Sequence, residues 1–223
     1  MVDKLVLHNS ISLDGSLIQF NPNLRLHYQI AAEYRPEAHL IGSNTIQVGI
    51  DLYSDGIPLE DAQDFQKPQR DSTLPYWVII DSHAQLQGIL HTCRRFELCR
   101  DIIVLITDTT PSGYIDYLEA RQYAYHVVGE THVDLPQAID VLTNTYQVQT
   151  LLADTGMVLG NLLLNQGLVT ELSLLVHPVI VGTQSYPIFA NIDSTLQLTL
   201  LKQEVMEAEY VWLAYDVLHN HSG

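Results

Sequence analysis

The sequence predicts an α/β fold on a mostly parallel sheet, closed at its C-terminal end by an antiparallel hairpin. Three observations point there. Short apolar segments alternate with helical ones over most of the chain, the segments are β-branched and bounded by polar turns, and the final stretch reads as two long alternating strands.

Lys4 to Ile11 is mostly apolar with only weak alternation, as a strand covered on both faces requires. Asn21-Pro22-Asn23 supplies a cap and a proline ahead of Leu24 to Tyr34, where Leu26, Ile30 and Tyr34 fall at helical spacing. A strand follows from His39 to Gly42. From Asp51 to Leu74 the chain turns polar, holds Pro58 and Pro68, and loses any apolar period. A long surface loop with one short helical turn is expected, of a length that in compact domains is often functional or mobile. Tyr76 to Ile80 and Ile102 to Ile106 read as strands, and Tyr125 to Val128 as a third. Pro111 to Gln122 and Leu135 to Tyr146 read as helices, the first opening beside Thr109-Thr110 and the second at Asp134 with Pro136. Such alternation implies right-handed crossovers between parallel strands. Thr195 to Glu204 and Glu209 to Leu218 then form the hairpin, turning near Met206-Glu207. One domain over residues 1–219 is expected, with a polar tail over 220–223.

Charge narrows the partners. With 26 acidic against 10 basic residues the net charge is −16, which repels nucleic acid and anionic membrane, so neither is expected as a partner. The bases are Lys4, Arg25, Arg35, Lys67, Arg70, Arg94, Arg95, Arg100, Arg121 and Lys202, too scattered to form a phosphate-tracking groove. Cys93 and Cys99 match no zinc spacing and read as buried thiols. Met1-Val2-Asp3-Lys4 leads into a strand rather than a basic then apolar leader, and no apolar run nears the roughly 18 residues of a membrane span. A soluble cytoplasmic protein without a metal is expected.

The segment Leu151 to Phe189 is the most informative. It reads as an apolar strand, a turn at Asp154-Thr155-Gly156, a helix, and a second strand broken at His177-Pro178. A strand running into a helix offers free N–H groups and the positive helix end to an anion such as a pyrophosphate. No GxGxxG or Walker A pattern is present. The candidate loops are instead Gly42-Ser43-Asn44-Thr45 and Asp154-Thr155-Gly156-Met157-Val158, at strand ends where open α/β sheets hold ligands. Each has a plainer reading, an N-capped turn for the first and a helix-capping carboxylate for Asp154. His177 reads as a satisfied core histidine, and Trp77 and Trp212 as core or interface residues.

Three motifs in order resemble the dihydrofolate-reductase-like reductases of riboflavin biosynthesis. They are His8-Asn9-Ser10-Ile11-Ser12-Leu13-Asp14-Gly15, Ala38-His39-Leu40-Ile41-Gly42-Ser43-Asn44-Thr45, and the run from Asp154 through Gly167-Leu168-Val169 to Gly182. The resemblance implies a three-layer dihydrofolate-reductase-like fold, a homodimer, and an NADPH-dependent oxidoreductase acting on a small-molecule substrate. It implies cofactor contacts at Gly42, Ser43, Asn44, Thr45, Asp81, Ser82, Val128, Gly129, Thr155, Gly156, Met157 and Val158. It places substrate at His8, Ser10, Ser12 and Asp14, and makes Asp154 the catalytic carboxylate. The chain departs from the pattern at His8, where bifunctional members carry Lys, at Gly49, where the family has Asp, and over Ile50 to Ser54, where a ribose-phosphate-gripping segment is unrecognisable. Reduction of a ribosylamino to a ribitylamino side chain is the implied reaction. The alternative is a nucleotide-binding or ligand-sensing module of the same fold without turnover.

Overall fold

The computed structural model describes residues 2–53 and 56–218, so the expected 220–223 tail lies outside the described residues. In chain order the elements are β1 (Lys4–Ser12), α1 (Leu24–Glu33), β2 (Ala38–Gly42), α2 (Ser43–Tyr53), β3 (Tyr76–Ile80), α3 (Leu90–Arg94), β4 (Ile102–Ile106), α4 (Ser112–Ala120), β5 (Ala124–Val127), α5 (Leu135–Tyr146), β6 (Thr150–Ala153), α6 (Met157–Asn165), β7 (Glu171–His177), β8 (Gln197–Met206) and β9 (Tyr210–Leu218). The predicted class is the observed one, mostly parallel strands with an antiparallel C-terminal hairpin. The packing groups the residues into two compact units, Glu37–Gln149 and Val2–Pro36 with Thr150–Gly223.

In Glu37–Gln149, four parallel strands run in the order β5-β4-β3-β2. All five residues of β4 are buried, as an inner parallel strand with both faces covered demands. Ile41, Trp77, Ile79, Ile102, Val104 and Ile106 pack with Leu90, Cys93, Tyr114 and Leu118 of α3 and α4. Each fully buried Leu or Ile there contributes roughly 1.5–3 kcal/mol through removal from water. Cys93 and Cys99 are free thiols in this unit, both pushed up to about 12 by burial.

The expected loop from Asp51 is shorter at its start, because α2 carries Ile46 and Ile50 into the core and continues to Tyr53. The remainder, 56–75, has no helix or strand, yet it is pinned. Arg121 grips Glu60 with Nε and Nη2, both at 2.6 Å, and Arg95 bonds Asp64. Arg94 is buried and donates to the carbonyls of Asp64, Gln66, Arg121 and Gln122 and to Asp101 at 2.9 Å, with its guanidinium 3.8 Å from the Tyr123 ring centre.

In the other unit the strand order is β6-β1-β7-β9-β8, with β1 parallel to β6 and β7, and β9 antiparallel to β7 and β8. Glu207 and Ala208 both take positive φ, 51° and 62°, and Glu209 N–H closes onto Met206 O at 3.2 Å. Paired positive φ values give a turn whose twist matches the strands. α1 begins at Asn23, whose side chain accepts the Leu26 N–H at 3.2 Å, and it buries Leu26, His27, Ile30 and Ala31. No helix among the described residues is long and apolar enough to cross a membrane.

Replacing Arg94 by Ala removes the partner of Asp101 and of four carbonyls. An unfolding free energy lower by roughly 3–5 kcal/mol is expected, the cost of breaking a buried pair from one side. Urea denaturation checks it through a lower midpoint at an unchanged slope.

Candidate active site

The register of β1 with β6 puts Leu7 opposite Ala153, so Asp154 emerges at the carboxyl end of β6, level with His8 in the middle of β1. Alternation turns Val6, His8 and Ser10 toward one face of β1. On that face Val6 packs with Ala31 of α1 and Leu152 of β6. His27, inside the buried stripe of α1, bridges the two strands. Its Nδ1 lies 3.1 Å from Ser10 Oγ and its Nε2 lies 3.2 Å from Asp154 Oδ2. The side chain of His27 is 7% exposed and that of Asp154 22%, so the carboxylate reaches the surface while the ring stays inside.

His8 supports this ring from below. The two imidazoles lie 4.3 Å apart at 33°. His8 Nε2 is 3.1 Å from the His27 carbonyl, which only accepts, so Nε2 carries the hydrogen. Nδ1 therefore accepts from Ser173 Oγ at 2.9 Å, and Ser173 accepts from Trp212 Nε1 at 3.0 Å. Burial first, then the neighbouring His27, lowers the His8 pKa to about 3. His8 is thus a neutral core residue with both ring nitrogens occupied inside the protein.

On the other face Asn9 donates to Thr155 O at 2.8 Å and holds the turn before α6. The buried Asn9 Oδ1 has no hydrogen-bond partner. Gly156 stands at the N-cap of α6 without a side chain to cap it, and the first turn, Met157 and Val158 included, holds no acid. Ser12 and Asp14 belong to a different arrangement. Ser12 Oγ donates to Asp14 Oδ1 at 2.6 Å and accepts the Ser16 N–H at 2.8 Å, while Asp14 accepts the N–H groups of Val181 at 3.1 Å and Gly182 at 2.8 Å. The Ser12 hydroxyl and then these N–H groups hold Asp14 down at about 2. Both close this turn, and Asp14 stays exposed. His177 is the satisfied core histidine expected, its Nε2 accepting from Asn23 N–H at 2.9 Å and its Nδ1 donating toward the carbonyls of Ile11 and Leu175.

Within Glu37–Gln149 the remaining predicted positions line the carboxyl edge of the strands. β2 ends at Gly42 and α2 starts at Ser43, so Ser43, Asn44 and Thr45 form a helix's first turn where a loop was expected. Ser43 Oγ donates to Gln85 Oε1 at 2.7 Å, and Thr110 Oγ1 donates to Ser82 O at 3.0 Å. Asp81 is buried and saturated by the N–H groups of Gln85 and Leu86, both at 2.9 Å, and by Tyr114 OH at 2.7 Å. Its carboxylate closes its own turn. Val128 is buried. Gly129 has φ +94°, and a Cβ there would meet His132 O at 2.2 Å, so glycine is demanded by the loop itself.

The sequence reading passed over His27. It sits beside Leu26 in the stripe made of Leu26, Ile30 and Tyr34, and a histidine on the apolar face of an amphipathic helix was the available signal. Thr107 and Thr110, linked at the end of β4, were also missed. Among the described residues no group of three His, Cys, Asp or Glu side chains could hold a metal ion.

A family model described as the RibD C-terminal domain matches residues 3–212. No curated protein matches the chain by sequence. Among solved structures, a pyrimidine reductase-like protein of Corynebacterium diphtheriae is similar at 17% identity and TM-score 0.72, covering 98% of this chain and 93% of that one. RibD of Acinetobacter baumannii is 17% identical with TM-score 0.70 over 98% of this chain, which spans 59% of that protein. The riboflavin biosynthesis reductase of Saccharomyces cerevisiae is 15% identical with TM-score 0.69, covering 97% and 90%.

Two outcomes are expected from this geometry. The folded-state His8 pKa of about 3 lies below the ordinary 6.5, so the unfolded chain binds the extra proton. That stabilisation is whole above pH 6.5 and is lost as pH falls toward 3. Urea midpoints measured from pH 7 to 4 should fall, and His8→Gln should remove about one proton from the slope. Gly129→Ala should lower stability by about 1–3 kcal/mol, read as a reduced thermal midpoint with an unaltered native circular dichroism spectrum.

Proposed function

The chain belongs to the RibD C-terminal domain family, and from that premise we propose that it is an NADPH-dependent reductase of a small heterocyclic substrate, resembling 5-amino-6-(5-phosphoribosylamino)uracil reductase of riboflavin biosynthesis. The observation that carries this reading is Asp154, a part-exposed carboxylate at the end of a parallel strand, bonded at 3.2 Å to a buried histidine. Reduction of a carbon–nitrogen double bond needs a positioned proton, and this pair can hold one.

The residues present fit a dinucleotide. α2 and α6 each start at a parallel strand's carboxyl end with no acid in the first turn, so their positive ends favour phosphate. Gly42, Ser43, Asn44, Thr45, Ser82 and Gly129 in one unit, and Thr155 to Val158 in the other, are the positions that the family resemblance assigns to the cofactor. Bound NADPH would supply the hydride, while the protein orients the substrate and excludes water from the reacting atoms. A homodimer and a cytoplasmic setting complete the proposal. Along β8 the apolar Leu198, Leu200, Leu201 and Val205 are exposed, a surface suited to a second copy.

The alternative, a nucleotide-binding module without turnover, draws support from the cations. Lys4, Arg25, Arg95, Arg121 and Lys202 pair with acids, and Arg70 and Arg94 serve carbonyls, each inside its own unit. A phosphorylated substrate would therefore find these seven cations already engaged.

Fluorescence titration should show NADPH bound more tightly than NADH, and binding of neither would overturn the reductase. With 5-amino-6-(5-phosphoribosylamino)uracil as substrate, Asp154→Asn should lower kcat by roughly 10²–10⁴-fold, the range for loss of a positioned proton donor, with NADPH affinity kept. Tight NADPH binding without oxidation across pyrimidine, pterin and carbonyl substrates would favour the binding module.

A further inference from the structure

We propose that Ser10, His27 and Asp154 form a proton shuttle in which His27 stores the proton and the Ser10 hydroxyl hands it to the bound substrate. This rests on the reductase reading and adds to it a named route for the proton.

The direction of the line follows from its ends. Asp154 Oδ2 faces His27 Nε2 at 3.2 Å, and a carboxylate only accepts, so Nε2 keeps its hydrogen in both charge states. The proton that comes and goes is therefore on Nδ1, 3.1 Å from Ser10 Oγ. When His27 is neutral, Ser10 donates inward to Nδ1. When His27 is charged, Nδ1–H donates to Ser10 Oγ, and the hydroxyl hydrogen turns outward. Ser10 is only partly buried, so its outward hydrogen can meet a ligand. His8 cannot intercept the proton, because both of its nitrogens are committed, to the His27 carbonyl at 3.1 Å and to Ser173 at 2.9 Å.

The groups facing His27 come from every neighbour. β1 supplies His8 and Ser10, the end of β6 supplies Asp154, β7 supplies His177, whose own pKa is lowered in part by His27, and α1 itself supplies Tyr28, edge-on with ring centres 5.2 Å apart. Asp154 is the carboxylate that faces the ring.

The step balances as follows. Bound NADPH would supply hydride to the carbon of a substrate C=N bond, leaving the electron pair of that bond on nitrogen. That nitrogen takes the Ser10 hydroxyl proton as Ser10 Oγ takes the Nδ1 proton of His27. His27 is left neutral with Nε2–H still on Asp154, and a solvent proton restores it. Ser10 touches the substrate, and His27 and Asp154 act through it.

Two measurements test this. In the ligand-free protein, NMR of ¹⁵N-labelled histidines should show neutral His27 carrying its hydrogen on Nε2 and accepting at Nδ1. A neutral His27 with its hydrogen on Nδ1 would overturn the shuttle. In turnover with NADPH and 5-amino-6-(5-phosphoribosylamino)uracil, kcat should fall as pH rises and the shuttle loses its proton. His27→Gln and Ser10→Ala should each lower kcat at least tenfold with KM within about twofold, and should flatten that limb. Should His27→Gln fail to fold, Ser10→Ala carries the same readout. NADPH oxidation that is flat with pH and undiminished in Ser10→Ala overturns the shuttle while leaving the reductase standing. His27 holding Nε2–H with no NADPH oxidation overturns the reductase reading, and the shuttle step with it.

Discussion

The parallel pairing of β1 with β6 is the constraint on which the site depends. It brings residues from opposite ends of the chain into register, Lys4 beside Thr150 through Leu7 beside Ala153, and so delivers Asp154 level with His8. A slip of one residue would turn His8 and Ser10 to the other face and carry Asp154 away from His27. Val6 and Leu152, both fully buried against Ala31, resist that slip because the wrong face would put polar side chains into the core.

Two histidines of one site do opposite work, and their surroundings explain the division. His8 is sealed beneath His27, with a carbonyl and a hydroxyl taking its nitrogens, and burial keeps it neutral. His27 has a carboxylate on one nitrogen and a hydroxyl on the other. A neutral ring beneath fixes the orientation of the upper ring without setting a positive charge against it.

An acidic chain meets its few cations with structural tasks. Arg94, Arg95 and Arg121 hold the irregular 56–75 segment through Glu60, Asp64 and main-chain carbonyls, so a stretch without helix or strand still has its polar groups answered. In the other unit, Lys4 and Tyr34 both bond Glu171, at 2.8 and 2.6 Å.

Much of the fold was legible in the letters. Apolar period, Asn23 and Asp134 as caps, Pro136, and the Asp154-Thr155-Gly156 turn act through local sterics and hydrogen bonds, and those are written in neighbouring residues. The start of α2 was misread as a loop because Ser43, Asn44 and Thr45 suit caps as well as helices, and only the burial of Ile46 and Ile50 decides. At the site, the letters pointed to Ser10 and Asp154 but gave no reason to join them to His27, to seal His8, or to spend Asp81, Ser12 and Asp14 on their own turns. Local chemistry determined by itself that these strands and helices form and in what order. Tertiary packing alone decided which polar atoms were consumed inside the protein and which were left facing a ligand, since a hydrogen bond between residues far apart in sequence exists only once the strands between them have paired.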